Sequence, residues 1–528
     1  MAVTETPPET VDAAASPAPS ESRTQPSGLA AVVGSGDHKV VGRLYIATSL
    51  ILGLDMLLLG GLFAFESTDT ETLSVFSSGS VFQYFTLYRV GAVFALAFPL
   101  VIGVAMVVVP LQVGARTVAF PRAAAASYWS WLVGALLLVA SYLMDGGPGG
   151  GNGEGVNLWI VSMGILTVAI LLAAVSLATT VIALRAPGMS LSRVPLYSWS
   201  VAVAAVMWLL TLPVLFAGLV LAYVDNRHAG GVLGGNAALY PQVGWMLRNP
   251  QIYVIAIPVL GFAADVLATT ARARIPMRSV AIGSIVSMGI VSFGAVLATT
   301  DPTAVETPVM IALALVAAIP VLGIIGLCAD LFRQGSFRLT TGALYAVSAT
   351  LILLVATVAG AIGSIPALEL TGTIFDLGTY HAAILAALTA SLGGIHWWAT
   401  KIGRQPATEA IGRSAALLLL LGSLNIVLSG VIAGLIGEDL ELSPDWTGGI
   451  EGLNFLALAG TVLVTLGVIA ALISFLPLVK KASQVERNPW DGQTLEWLAP
   501  SPPPLGNFDS DLPVVTSAEP LTDSRKEK

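Results

Sequence analysis

The chain has 528 residues, of which 55% are hydrophobic and only 11% charged, with a mean hydropathy of +0.83 and a formal net charge of -8. That balance excludes an ordinary soluble globular protein. The single cysteine, Cys328, excludes an intrachain disulfide and a cysteine-built zinc or iron–sulfur site, and no basic stripe marks a nucleic-acid partner. An all-α integral membrane protein remains.

In chain order, residues 1–34 are rich in Pro, Ser, Thr, Ala and Glu and read as a disordered tail, since they carry too little apolar surface to fold. A charged segment followed by a short apolar core is missing, so no cleaved signal peptide is expected. Residues 35–482 then give about twelve apolar stretches near the ~20 residues needed to span hydrocarbon. They are predicted at about 41–65, 82–110, 124–144, 156–185, 197–224, 244–270, 277–299, 305–331, 340–363, 378–400, 413–437 and 452–479. Lys and Arg gather in alternate loops: Arg116 and Arg122, Arg185 and Arg193, Arg272 to Arg278, Arg333 and Arg338, Lys401 to Arg413, and Lys480 to Arg487. Arg227 is the exception. The positive-inside rule then puts both termini, including the 483–528 tail, in the cytoplasm of a multi-pass cell-membrane protein.

Several strings carry a resemblance. VPLQVGARTVAFPR at Val109–Arg122, followed by Ser127-Tyr128-Trp129, is an irregular string with little reason to arise from apolar composition. NPWDGQTLEWLAPSPPPLGNF at Asn488–Phe508, PVLFAGL from Pro213, the entry Asp37-His38-Lys39 with Gly42 and Tyr45, and WMLRNPQIYVIAIPVLG at Trp245–Gly261 complete the set. Together they resemble subunit I of the haem-copper (cytochrome c) oxidases, which implies a twelve-span bundle, haem and copper at its centre, and packing against subunits II and III. Polar groups such as those at Trp245–Gly261 are costly in a bilayer, and they are a functional-site hypothesis in their own right. His38 reads as a solvated boundary residue and His396, between Ile395 and Trp397-Trp398, as a member of an interfacial aromatic belt.

The resemblance implies six intramembrane histidines for iron and copper, whereas this chain has four histidines in total, of which His38 and His228 fall at boundaries. The span-two haem ligand corresponds to Tyr88, in FTLYR. A phenolate can bind iron, although Arg89 beside it is equally suited to an intramembrane ion pair with Asp55. In the run Gly378-Thr379-Tyr380-His381, His381 is either a haem ligand or a hydrogen-bonded bundle histidine. The copper positions carry Asn249, Ala298 and Thr299. Tyr253 is the retained site tyrosine. On the proton paths Thr117, Ala124 and Gln251 replace ionisable or polar groups, the apolar run after Pro320 replaces a lysine, and Glu438 and Asp439 stand where propionate-holding arginines are implied.

From these substitutions the expectation is a degenerate, pseudoenzyme-like subunit I homologue of the respiratory chain. It would have no haem, no copper and no proton pumping, and would serve as a structural or regulatory partner of subunits II- and III-like chains or of a complete subunit I paralogue. Two alternatives stay open. One is an active terminal oxidase with atypical ligands such as Tyr88 and Thr379. The other is a transporter or channel reusing the emptied cavity, lined by Asp55, Arg89, Asp265 and Asp376.

Overall fold

The computed structural model describes residues 28–68, 75–76, 80–228, 236–297, 307–370, 372–438, 449–481 and 485–526. Side chains at 29, 236–251, 292–297, 307, 310, 313, 449 and 524–526 lie outside that description. The first compact unit, 1–35, contributes one short described helix, Leu29–Val33; the second is the membrane unit, 36–528.

Eleven described helices are long and apolar enough to cross a membrane. A further helix, Arg278–Leu297, stands at the seventh predicted position. In chain order the spans are His38–Glu66, Val81–Gln112, Pro121–Leu143, Gly153–Ala183, Leu196–His228, Asn236–Ala271, Arg278–Leu297, Ala318–Gln334, Thr341–Gly363, Ile374–Trp397, Glu409–Ile436 and Gly449–Ser474. The predicted eighth span at 305–331 is instead two helices, Thr307–Val316 and Ala318–Gln334. Pro320 explains the break, because it has no N–H to give the carbonyl one turn earlier. Helix starts follow the side chains that can cap them: Asp37 accepts from Lys39 N–H, Asn152 from Glu154 and Gly155, and Thr340 from Ala343.

Most consecutive spans pack as neighbours; the second instead packs mainly on the first, fourth, fifth and tenth, which enclose its inner half. Every residue of Phe98–Gln112 is buried. Just before it, Ala92–Ala97 widens into a π turn, next to Pro99, whose missing N–H disturbs the helical ladder there. The first and second spans cross where Gly42 meets Gly103; a Cβ on Gly42 would lie 2.6 Å from the Gly103 carbonyl. Small residues let the two backbones approach this closely.

One end of the bundle is covered by the C-terminal segment. Asn507 is its pin: its Oδ1 accepts from Lys39 Nζ at 2.9 Å and lies 3.0 Å from His38 Nε2, while its Nδ2 donates to the Ala115 carbonyl at 2.7 Å. His38 is 1% exposed, with Nδ1 2.7 Å from the Met106 carbonyl. It is therefore a buried clasp and not the solvated boundary residue expected. Lys39 also pairs with Asp37 at 2.8 Å. Trp397 stacks on Trp490 at 4.9 Å and its carbonyl accepts from Trp490 Nε1. His396, Trp397 and Trp398 are all buried, which corrects the aromatic-belt reading: the tail covers the two tryptophans through Trp490 and Glu496, and His396 lies against Glu409 and Gly412 at the start of the eleventh span.

Lys401 sits beneath this tail, donating to the carbonyls of Arg487 and Ala499 and to Ser501 Oγ at 2.9, 2.6 and 3.0 Å. Burial lowers its pKa to about 7, far below the ~10.4 of a free lysine. The docked state therefore binds fewer protons than the released state between about pH 7 and pH 10, and docking strengthens as pH rises through that window. Limited proteolysis of the tail is expected to slow from pH 7 to pH 9, and Lys401→Met is expected to abolish that pH dependence.

Candidate functional site

A cavity of about 500 Å³ opens between the first, second, tenth, eleventh and twelfth spans. Its walls are apolar and aromatic, with Phe63 and Phe85 on one side and Leu385 and Leu388 on the other. Both the size and the lining are those of a small-molecule or cofactor pocket.

Tyr88 from the second span and His381 from the tenth stand on its wall, 293 residues apart in sequence, with Tyr88 Oη 2.7 Å from His381 Nε2. Tyr88 reaches this position because Gly60 on the first span leaves room for its ring: a Cβ on Gly60 would lie 3.0 Å from Tyr88 Cε2. One turn further on, the π segment begins. On the tenth span, Tyr380 turns to the other side, donating its hydroxyl to the Arg89 carbonyl and lying under the Arg89 guanidinium at 5.1 Å. Arg89 also lies over Phe85 at 5.5 Å, so aromatic faces take its charge.

The expected ion pair between Asp55 and Arg89 is not among the described ion pairs. Asp55 points to the outer surface of the first span and Arg89 inward toward the tenth. The other two carboxylates expected to line a transport path are also elsewhere. Asp265 accepts the Leu196 and Tyr197 amides at the start of the fifth span, and Asp376 accepts the Gly372 amide beside the tenth. None of the three lines the cavity.

One mouth of the cavity is polar. Asn454 and Ser67 line it, and Asn454 Nδ2 donates to the Ser67 carbonyl at 3.1 Å and to Glu438 Oε1 at 3.3 Å. Glu438 is 3% exposed, with Oε2 lacking a partner, and burial pushes its carboxyl up. Asp439 lies outside the described residues.

Of the remaining positions, Tyr253 directs its hydroxyl at Gly360, where an added Cβ would come within 2.1 Å of it and 3.8 Å of Thr379 Cγ2. Thr117 is exposed in the loop after the second span and Ala124 is fully buried in the third. His228 is exposed at the end of the fifth. Asn249 and Gln251 lie on the helix Asn236–Ala271, but their side chains are outside the described residues, as are Ala298 and Thr299 altogether. Sequence reasoning missed the Asn507 clasp and the buried Gln112–Glu496 pair, at 3.1 Å, which Ser198 extends through Gln112 Oε1. Gln112 lies in the retained Val109–Arg122 string and Glu496 in the retained tail, and that shared retention was the available signal.

The family described as Cytochrome C and Quinol oxidase polypeptide I matches residues 40–466. Cytochrome c oxidase subunit 1 of Bacillus subtilis (strain 168) is 28% identical, over 95% of this chain and 84% of its own. Cytochrome bo(3) ubiquinol oxidase subunit 1 of Buchnera aphidicola (subsp. Acyrthosiphon pisum, strain APS) is 28% identical, over 81% and 68%. Among solved structures, a heme-copper terminal oxidase dimer superposes with a TM-score of 0.72 at 14% identity, covering 93% of this chain and 89% of that one. The shared fold is thereby established. These similarities overturn the expectation that the chain uses no cofactor, because it rested on counting ligands, and the family matched over most of the chain is one of haem-copper oxidases.

The cavity fits a haem in part. Its volume and apolar walls suit a flat macrocycle, and it offers one imidazole. At 2.7 Å, however, Tyr88 and His381 are too close to hold one metal from opposite sides at about 2 Å each, so His381 can ligate only as Tyr88 gives up its hydrogen bond. Removing that bond in the chain without cofactor has a measurable cost. Tyr88→Phe is expected to lower the stability of purified chain by about 1–2 kcal/mol, the penalty for an unpaired buried polar group, read as a fall in Tm; an unchanged Tm would mean the bond contributes nothing.

Proposed function

This chain belongs to the cytochrome c and quinol oxidase polypeptide I family, and from that premise we propose that it is a structural or regulatory membrane component of a respiratory oxidase assembly that keeps one haem-type site and is not itself the seat of oxygen reduction. The observation that carries the reading is the meeting of Tyr88 and His381 on the wall of the 500 Å³ cavity. The subunit I resemblance makes Tyr88 the span-two haem position and offers His381 as either a haem ligand or a bundle histidine, and their contact at the cavity favours the ligand reading.

His381 Nε2 would be the iron ligand. Haem bound there would supply reversible one-electron chemistry. Tyr88 orients the imidazole and returns a hydroxyl to it when the ligand leaves, while Phe63, Phe85, Leu385 and Leu388 exclude water. At the mouth, Asn454, held by Glu438 and the Ser67 carbonyl, stands in place of a charged clamp. Asn249, Ala298 and Thr299, together with Thr117, Ala124 and Gln251, leave the oxygen and proton chemistry without its implied imidazoles and relays, and this supports a role beside a catalytic subunit. The alternation of basic loops supports cytoplasmic termini.

The second reading, oxygen reduction by this chain itself, is favoured by the names of its relatives. A reduced-minus-oxidised spectrum with a pyridine haemochrome assay on purified protein separates the two. The proposal expects one haem per chain, lost in His381→Ala, with no oxygen uptake from reduced cytochrome c or quinol. Two haems with turnover would establish the second reading, and haem retained in His381→Ala would refute the ligand assignment.

A further inference from the structure

Asp55 is exposed on the outer surface of the first span and, among the described residues, makes no hydrogen bond or ion pair. His38–Glu66 has 29 residues and is about 43 Å long at 1.5 Å per residue, so a hydrocarbon layer of about 30 Å leaves Asp55 roughly 10 Å inside it. An aspartate is too short to reach water from that depth, unlike the snorkelling Lys and Arg side chains. Its neighbours on this face, Ile51 and Leu58, are 64% and 62% exposed. An acidic group on an otherwise lipid-compatible stripe is costly unless another helix brings it a partner.

We propose that the stripe Ile51–Asp55–Leu58 docks a membrane-spanning helix of a different polypeptide, one that places an Arg or Lys against Asp55. Charge complementarity selects the occupant. Among the described side chains of a second copy, Arg89 is the one cation set more than two turns inside a span, and it is turned inward over Tyr380 and Phe85, so a different polypeptide is the occupant that charge complementarity favours. The proposal builds on the assembly role above but does not depend on what the cavity holds, so the two can fail separately.

The test uses the full chain expressed in its native membrane with a photoactivatable side chain at Leu58, followed by mass spectrometry of the adduct. The expected adduct is a membrane-spanning segment of another polypeptide with Arg or Lys within one turn. Its yield is expected to fall at least fivefold in Asp55→Leu and to persist in Asp55→Glu. Adducts with a second copy, with lipid alone or with a helix lacking a basic residue would overturn the proposal, as would a yield unchanged in Asp55→Leu. Purified Asp55→Leu is expected to melt no lower than the parent chain; a lower Tm would reveal an internal partner for Asp55 and also overturn it.

Discussion

The hydrogen bond from the second span to the tenth, Tyr88 to His381, is the contact on which the interior arrangement turns. In hydrocarbon a phenol or imidazole without a partner is expensive, so each side chain fixes the rotation of the helix that carries it. With those two rotations set, Gly60 is required beneath the Tyr88 ring, Tyr380 is directed to the opposite face, and Arg89 is drawn over aromatic rings. The cavity is the space left beside this contact by five spans whose remaining facing side chains are apolar apart from Ser67, Asn454 and Thr461. A pair of groups that satisfy each other can hold the bundle together and still release one imidazole to a ligand.

The second constraint lies at the end covered by the C-terminal segment. Asn507 joins His38, Lys39 and the Ala115 carbonyl, Lys401 gathers two carbonyls and Ser501, and Glu496 meets Gln112. Glu496 is 2% exposed, and burial pushes its carboxyl up. These contacts join exactly the strings that carry the family resemblance, 109–122 and 488–508, to the start of the first span. Their retention has a physical reason separate from redox chemistry: they close one end of the bundle, and each buried polar member would be left unsatisfied by loss of its partner.

The spans were legible in the sequence because hydropathy over some twenty residues is a strong signal, and the break at Pro320 was missed because hydropathy does not register a missing N–H. Tyr88 and His381 could be named singly but not joined, since nothing local links residues 293 positions apart. Asp55 and Arg89 were expected to pair because opposite charges on adjacent spans suggest it; helix phase, invisible without the packing, turned them apart. His38 and His396 were read as boundary residues from their neighbours, whereas His38 is covered by Asn507 of the distant tail and His396 by Glu409 and Gly412 of the next span. Counting ligands misled more seriously. It treated cofactor loss as the necessary result of missing histidines, although the cavity and one imidazole remain.

The central claim is that this cavity still holds a haem-type group through His381. A cryo-EM map of the protein purified with its native lipids and partners tests it most directly. The account predicts planar density in the cavity joined to His381, with the Tyr88 hydroxyl withdrawn from the imidazole. Lipid or solvent density there, with Tyr88 and His381 still hydrogen-bonded, would contradict it.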